Sequence, residues 1–469
     1  MTDKFYVTTP IYYVNDVPHV GHAYTTLAAD VLARYWKEKV GERNVFFLTG
    51  TDEHGQKIEE AAKENGQSPK EYADSVAPRF QTSWKLFNIN PSFFIRTTDP
   101  RHEKIVSELL TKIYKNGFIR EGVYEGLYCV GCERFYAEAE LVGGKCPLHP
   151  NREIAHQKEK NYFLKLKELS NKVLEKIEKG EYKILPEDKR HEVVSRIKQG
   201  VEDISISRAG VSWGIPVPWD NSQTIYVWVD ALINYYSATR FVEGKKGFWP
   251  ADLHLIGKDI LWFHTVIWQA LLLAAEVELP KTIFAHGFFT VNGQKMSKSL
   301  GNAISPKQLV DRYGVDGARY LILSAYQFGS DGDISLERFD ERYNAGLANG
   351  LGNLVARVAK LCEKANLKGL KQSKSFDKTV ETHLENIGPD QALSEILHKA
   401  GLIDQLLSVD EPWKIEGVKK LEEVISPHAV NVLNLAYQLR PFLPETAEKI
   451  QKQFSGPKIK SEKPLFPRL

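Results

Sequence analysis

A chain of 469 residues with 42% hydrophobic and 26% charged side chains has the composition of an ordinary globular protein and enough length for about two to four structural units. Its formal net charge of +2 excludes nucleic-acid binding through a global electrostatic field, so any such contact must come from local basic patches. No apolar run is long enough for a membrane span, the N-terminal Met1-Thr2-Asp3-Lys4-Phe5 lacks signal-peptide form, and four cysteines are too few for a disulfide framework, so a cytoplasmic protein is expected.

Phe5-Tyr6-Val7-Thr8-Thr9 reads as a buried strand that Pro10 breaks. Asn15, Asp16 and Pro18 offer helix-start chemistry. From Val20 the apolar residues Ala23, Tyr24, Leu27, Ala28, Val31, Leu32, Tyr35 and Trp36 trace one face of a helix, which puts His19, Gly21 and His22 in its first turn. A helix N-terminus suits phosphate, and Gly21 allows close approach to the backbone. The alternative for such an HxGH stretch is a pair of partly exposed histidines at a helix end, and in isolation that is the commoner case. Gly41 closes the helix and Asn44 to Gly50 forms a second strand. Strand, helix, strand at this spacing is a βαβ unit, hence a parallel sheet whose ligands bind beyond the carboxyl ends of its strands. Thr51-Asp52-Glu53-His54-Gly55 falls there: Asp52 either holds a cationic amine or caps the next helix, Gln56 to Asn65.

Helical segments continue to about Asn116. Cys129-x2-Cys132 followed by Cys146-x2-His149 then supplies three thiolates and one imidazole, a full tetrahedral set for a structural zinc. Cys362 reads as a small buried hydrophobe. Asn161 to Leu164 suggests a strand, and Trp213 to Trp219 a stiff return from an inserted domain. The sheet is expected to resume with a strand over Thr224 to Asp230 and another over His254 to Gly257, running into Lys258-Asp259. Ile260 to Ala275 is apolar nearly all round, a buried helix, and Lys281 to Gly287 is one more strand. The fold class is therefore α/β, a parallel sheet split by a zinc-bearing insert. Beyond Asp333 long helical patterns, punctuated at Pro427 and Pro441, indicate a bundle.

Lys295-Met296-Ser297-Lys298-Ser299 follows a turn, Val291 to Gln294, and forms a loop with two ammonium groups and two hydroxyls, suited to close over a triphosphate and stabilise a leaving pyrophosphate. Together with His19-Val20-Gly21-His22, it resembles the HIGH and KMSKS signatures of the class I aminoacyl-tRNA synthetases, with Val in place of Ile in the first. Within that class the chain is most similar to the methionyl family. Thr9 to Tyr13, Gly50 to Gly55, Tyr226 to Ala231 and Ile256 to Ile260 match its blocks, and the zinc knuckle is similar to that of the bacterial one-zinc subgroup.

The resemblance implies a Rossmann-like catalytic domain, a connective insert and an all-α anticodon-binding bundle. They divide as 1–115 and 221–285 for the catalytic halves, 116–220 for the insert, 286–340 for the KMSKS loop and stem-contact region, and 341–469 for the bundle. It implies ATP-dependent activation of L-methionine, with Mg2+ accompanying ATP, and transfer to tRNA(Met). His19, His22, Lys295 and Lys298 would be catalytic, and Gly21, Gly257, Asp259 and Ser297 would join them at ATP, Asp259 on the ribose hydroxyls. Asp52 would take the methionine ammonium. Ile11, Tyr13, Trp228, Ala231, Tyr235, Ile260, Phe263 and His264 would line the side-chain pocket, with Tyr13 and His264 as donors to the sulfur. Read without the family, Trp228 and Phe263 are core packing. Asn353, Arg357 and Trp413 would read the anticodon. A chain ending at Leu469, without the additional C-terminal OB-fold many bacterial members carry, is expected to be a monomer. There is no large editing insert of the kind expected for the isoleucyl, valyl and leucyl enzymes.

Overall fold

The computed structural model describes all residues except 1–2, 16–17, 132–133, 137, 148, 292 and 297–303, together with the side chains at 124, 134, 135, 139, 157 and 295. The chain forms two compact units, one of Met1–Val17, Asn44–Thr82 and Pro91–Ala285, the other of Pro18–Arg43, Ser83–Asn90 and His286–Leu469.

The first unit is built on a six-stranded sheet. In chain order its elements begin with β1 (Phe5–Tyr13) and β2 (Val45–Asp52), which pair in parallel and are linked in sequence through α1 (Val20–Val40). After α2 (Gln56–Glu64) and α3 (Pro69–Leu86), β3 (Phe93–Arg96) adds to the outer edge of β2, and α4 (Pro100–Lys115) follows. The chain continues through β4 (Ile119–Cys129), β5 (Arg134–Tyr136), β6 (Ala155–Leu164), α5 (Leu166–Glu178), β7 (Lys183–Leu185), which joins the six-stranded sheet, α6 (Glu187–Gln199) and β8 (Ile204–Ser205). β4, β5, β6 and β8 make a separate antiparallel sheet, so the segment Asn161 to Leu164 is the end of a ten-residue strand. β9 (Ser207–Arg208), β10 (Pro216–Val217) and β11 (Asp220–Ile225) form a small antiparallel sheet. Then come α7 (Val227–Phe241), β12 (Leu253–Gly257), α8 (Trp268–Ala274) and β13 (Thr282–His286). The main sheet has the order β3-β2-β1-β12-β13-β7.

Three expectations change. β1 does not stop at Pro10 but runs to Tyr13. The proline, which has no N–H to donate, is absorbed by a register shift between Thr8 and Ile11 against β2. Tyr226 to Asp230 is not a strand but the entry to α7, and β11 belongs to the small sheet rather than the main one. The Val-Trp-Val run looks like a strand because α7 is buried on nearly every face, and an apolar run of that kind has no period that separates strand from helix. At α1 the residue that caps the helix is His19 itself rather than Asn15, and Asp16 lies outside the described residues. The helical stretch after β12 is buried as expected, but it opens with a 3-10 turn at Lys258–Ile260 and a π segment at Phe263–Ile267 before α8.

The second unit contains α1 and a three-stranded sheet of β14 (Phe289–Val291), β15 (Gln294–Lys295) and β16 (Gly332–Ile334). Its helices are α9 (Pro306–Ser324), α10 (Leu336–Arg342), α11 (Asn353–Lys364), α12 (Lys378–Glu385), α13 (Pro389–Asp410), α14 (Val418–Leu439) and α15 (Pro444–Ser455). Between α10 and α11 the chain is π-helical from Tyr343 to Gly352. Arg319, fully buried on α9, locks this unit: its guanidinium donates to the carbonyls of Phe442 (2.6 Å), Phe87 (2.9 Å) and Pro441 (2.9 Å) and pairs with Asp30 of α1 at 2.9 Å. A planar fork of five donors is the side chain suited to four acceptors in one plane. Among the described residues no helix is long and apolar enough to cross a membrane.

Candidate active site

In the main sheet the chain leaves β1 toward β2 on one side and β12 toward β13 on the other, so the strand order reverses between β1 and β12. A parallel sheet opens a crevice at the carboxyl end of such a pair. Tyr13 ends β1, Asp52 ends β2 opposite it in register, and Asp259 follows β12 by two residues. A cavity of about 230 Å³ lies there, with walls from these strand ends, from α7 and from the helical stretch after β12. Ile11, Tyr13, Asp52, Trp228, Ala231, Tyr235, Asp259, Ile260, Phe263 and His264 all line it.

Local structure explains each contribution. Val227, Trp228, Ala231, Leu232 and Tyr235 recur at helical spacing and turn one face of α7 into the wall. Trp228 and Phe263 stack with ring centroids 4.1 Å apart. Asp52 is buried at the strand end, and Asp259 is exposed in its 3-10 turn. His264 lies in the π segment, where its Nδ1–H donates to the Ile260 carbonyl at 2.9 Å. Its Nε2 is then the acceptor for the Tyr235 hydroxyl at 2.7 Å. Burial holds His264 neutral, its pKa lowered to about 4. The Tyr13 hydroxyl donates to the His54 carbonyl at 2.9 Å. The two groups expected to donate to a sulfur thus direct these protons at backbone carbonyls. Gly257 is the last residue of β12 and is buried.

Sequence reasoning did not place Pro10, Lys57, Gly131, Tyr136, His149, Val227 or Leu232 at this cavity. Lys57, in the first turn of α2, places its ammonium 5.6 Å from the Tyr13 ring centroid. Its position five residues after Asp52, where a helix starts at a strand end, was the available signal. Gly131, Tyr136 and His149 reach the same cavity from the insert, and nothing local announces that.

The metal-ligand atoms of Cys129, Cys146 and His149 all lie within 4.8 Å of one another, with both cysteines fully buried. Cys146 Sγ donates to the Tyr136 hydroxyl at 3.4 Å. A Cβ on Gly131 would meet His149 Cγ at 2.6 Å, so only glycine leaves room for the imidazole to turn toward the thiols. Two thiols and an imidazole this close fit a thiophilic divalent ion. Cys132 lies outside the described residues.

In the second unit, His19 caps α1 with its Nδ1 accepting from Gly21 N–H at 3.1 Å, and His22 Nδ1 accepts from His19 N–H at 3.2 Å. The rings stack with centroids 3.9 Å apart. A Cβ on Gly21 would sit 2.9 Å from His19 Cε1, so the glycine makes room for the capping ring. With Nδ1 accepting, a neutral ring carries its proton on Nε2, and each histidine becomes a donor at its outer nitrogen. Burial, then the neighbouring His19, holds His22 well below its usual pKa. Lys295 is placed by its backbone in β15, paired with Thr290, while Ser297 and Lys298 lie outside the described residues.

Asn353 and Arg357 sit one turn apart on α11. The Arg357 guanidinium lies 5.5 Å from the ring centroid of Trp413, which is 43% exposed in a 3-10 turn after α13, and it also pairs with Asp404.

A family model described as tRNA synthetases class I (M) matches residues 5–157 and 150–359. The chain is 40% identical over 510 residues to the methionine–tRNA ligase of Caldanaerobacter subterraneus subsp. tengcongensis, covering 100% of the chain and 79% of that protein. To the Nostoc sp. enzyme of the same name it is 40% identical over 475 residues, covering 96% and 89%. Among solved structures it is similar to Mycobacterium tuberculosis methionyl-tRNA synthetase in complex with methionyl-adenylate, with TM-score 0.91, 35% identity and 100% of both chains covered. The free form of that enzyme gives TM-score 0.84 at 32% identity, with 99% and 98% covered.

Proposed function

The chain belongs to the methionyl family of class I tRNA synthetases, and from that membership we infer that it activates L-methionine with ATP and transfers it to tRNA(Met). The observation that carries the reading is the cavity at the switch point of the sheet, where a buried carboxylate, an apolar aromatic wall and an exposed acid converge.

In the first step the methionine carboxylate attacks the α-phosphorus of ATP, and pyrophosphate leaves. In the second, the terminal ribose hydroxyl of the tRNA attacks the activated carbonyl, and AMP leaves. Neither step needs a side-chain nucleophile, so the protein's part is positioning and electrostatic stabilisation. Asp52 takes the ammonium, Trp228 and Phe263 take the thioether by ring contact, and Asp259 takes the ribose hydroxyls. His19 and His22, donating from Nε2–H, serve the phosphates along with Lys295, Ser297 and Lys298, while Gly21 and Gly257 give room for backbone approach. Mg2+ accompanies ATP. Cys129, Cys132, Cys146 and His149 hold a structural zinc that leaves no open ligand position. Asn353, Arg357 and Trp413 read the anticodon, whose unstacked bases suit an exposed indole with a guanidinium beside it. We assign 1–115 and 221–285 to the catalytic domain, 116–220 to the insert, 286–340 to the KMSKS and stem-contact region and 341–469 to the anticodon bundle.

Amino-acid-dependent ATP–pyrophosphate exchange, run with each amino acid in turn, tests this. Exchange is expected with methionine. Its absence, or faster exchange with leucine, overturns the reading.

A further inference from the structure

A buried network behind the cavity wall has no part in the chemistry above. Asp230 lies in the first turn of α7 and is 1% exposed. Its Oδ2 accepts from His54 Nδ1 at 2.7 Å and its Oδ1 from His102 Nε2 at 2.7 Å. His102, fully buried in the first turn of α4, contacts Ser237 Oγ through its Nδ1 at 2.6 Å. One imidazole therefore grips α7 at two points seven residues apart and fixes the rotation of the helix about its axis. The opposite carboxylate oxygen holds His54, two residues past Asp52, and the carbonyl of His54 receives the Tyr13 hydroxyl. Trp228, Ala231 and Tyr235 occupy the other face of the same helix and line the cavity.

We propose that Asp230, held between His54 and His102, is a positioning residue for methionine binding: it locks the Asp52 segment to the helix that carries Trp228, Ala231 and Tyr235, so that the ammonium site and the thioether site keep one spacing. The proposal rests on the reading of this cavity as the methionine site. Helix packing alone does not call for such a device. Burying a carboxylate costs free energy that a well-packed apolar residue would not, and what a fully satisfied polar network adds is a single geometry. The charges that face His54 agree with a paired imidazolium. Asp230 is at 2.7 Å, Glu103 reaches to 3.7 Å of its Nε2, and their effect, with that of Glu53, outweighs burial and raises the pKa of His54.

The test is steady-state ATP–pyrophosphate exchange on the full chain for Asp230→Asn, His102→Leu and His102→Gln, with folding checked by circular dichroism. Losing a charge-assisted bond in a buried site corresponds to about a tenfold or larger change in affinity. Asp230→Asn and His102→Leu are expected to raise the methionine KM by about that factor, with the ATP KM and kcat within about threefold. His102→Gln keeps a donor toward Asp230 and is expected to restore the methionine KM. An unchanged methionine KM, parallel losses for both substrates, or a His102→Gln variant as defective as His102→Leu overturns the proposal. If Asp230→Asn does not fold, the two His102 variants decide. If His102→Leu does not fold either, the network carries the fold and not the site, and the proposal falls. Methionine-dependent exchange by the unaltered protein, measured alongside, reports separately on the underlying reading.

Discussion

The indole of Trp228 and the ring of Phe263 lie face to face, 4.1 Å between centroids and 14° from parallel, and both line the cavity at the carboxyl end of the sheet. The pair comes from two different elements, α7 and the π segment, so each ring props the other. Phe263 is 6% exposed and belongs to the main core cluster. Phe263→Leu keeps the apolar character and removes the flat partner. Sulfur–aromatic contacts contribute about 0.3 to 1.5 kcal/mol, so the methionine KM is expected to rise roughly twofold to tenfold. The ATP KM should stay within about twofold, because the substitution touches no phosphate or ribose group. Equal changes for the two substrates, measured by pyrophosphate exchange, would count against the assignment of this wall to the thioether.

The insert makes a separate prediction. Cys146 is fully buried and donates to the Tyr136 hydroxyl, and Tyr136 and His149 line both the ligand cluster and the cavity. Elemental analysis of the purified protein should find about one zinc per chain. Cys129→Ala combined with Cys146→Ala should abolish it. Because two residues are shared, removing the metal with a chelator should also raise the methionine KM before it affects global unfolding. Zinc retained by the double variant would contradict the ligand set.

What the sequence disclosed and what it concealed follow from range. The ends of β2 and β12 were legible to within two residues because short apolar runs closed by Gly or polar clusters mark strand ends, whereas Pro10 hid the true end of β1 at Tyr13. The clustering of Cys129, Cys146 and His149 was legible because Cys and His at ligand spacing are a local pattern, and Cys132 lies outside the described residues. The entry to α7 was misread as a strand because burial on all sides erases periodicity. The partnership of Asp230 with His54 and His102 spans separations of 176 and 128 residues, and no window along the chain contains it. The same holds for Tyr136 and His149 at the cavity. Motif residues are found by pattern, whereas the groups that hold them in place are found only from coordinates.

Acid should destabilise the protein through its buried histidines. Burial keeps His22 and His254 well below the usual value of 6.5 and lowers His264 and His286 to about 4. The unfolded chain therefore binds more protons than the folded one between pH 6.5 and about 4. Stability is full above the first value and falls as pH drops through that window, by about 1 kcal/mol per pH unit for each such group. His54 runs the other way. Its pKa is raised, so its contribution is present in acid and is lost as pH rises through the folded value. Four groups against one fixes the sign in acid. The Tm measured by calorimetry should fall steadily from about pH 7 to about pH 4.5. A flat profile would mean that these histidines protonate without cost in the folded state.

Trp413 and Arg357 carry the last prediction, because they separate the two halves of the reaction. The indole is 43% exposed although it is the kind of surface that folding ordinarily buries, and the Arg357 guanidinium lies 5.5 Å from its centroid. Exposure of a large ring beside a cation fits a stacking platform for an unpaired base. A base stacked on an aromatic ring contributes about 1 to 3 kcal/mol, so Trp413→Ala is expected to raise the tRNA KM by a factor on the order of ten to a hundred. Arg357→Ala should do the same and also leave Asp404 without this ion-pair partner. Neither residue touches the cavity, and the chemistry of adenylate formation proceeds without tRNA, so methionine-dependent pyrophosphate exchange should be unchanged in both variants. Tritiated-methionine charging of tRNA(Met), set beside exchange on the same preparations, makes the comparison. Loss of exchange in step with charging would mean that the substitutions disturb the fold, and unchanged charging would remove the pair from the tRNA interface.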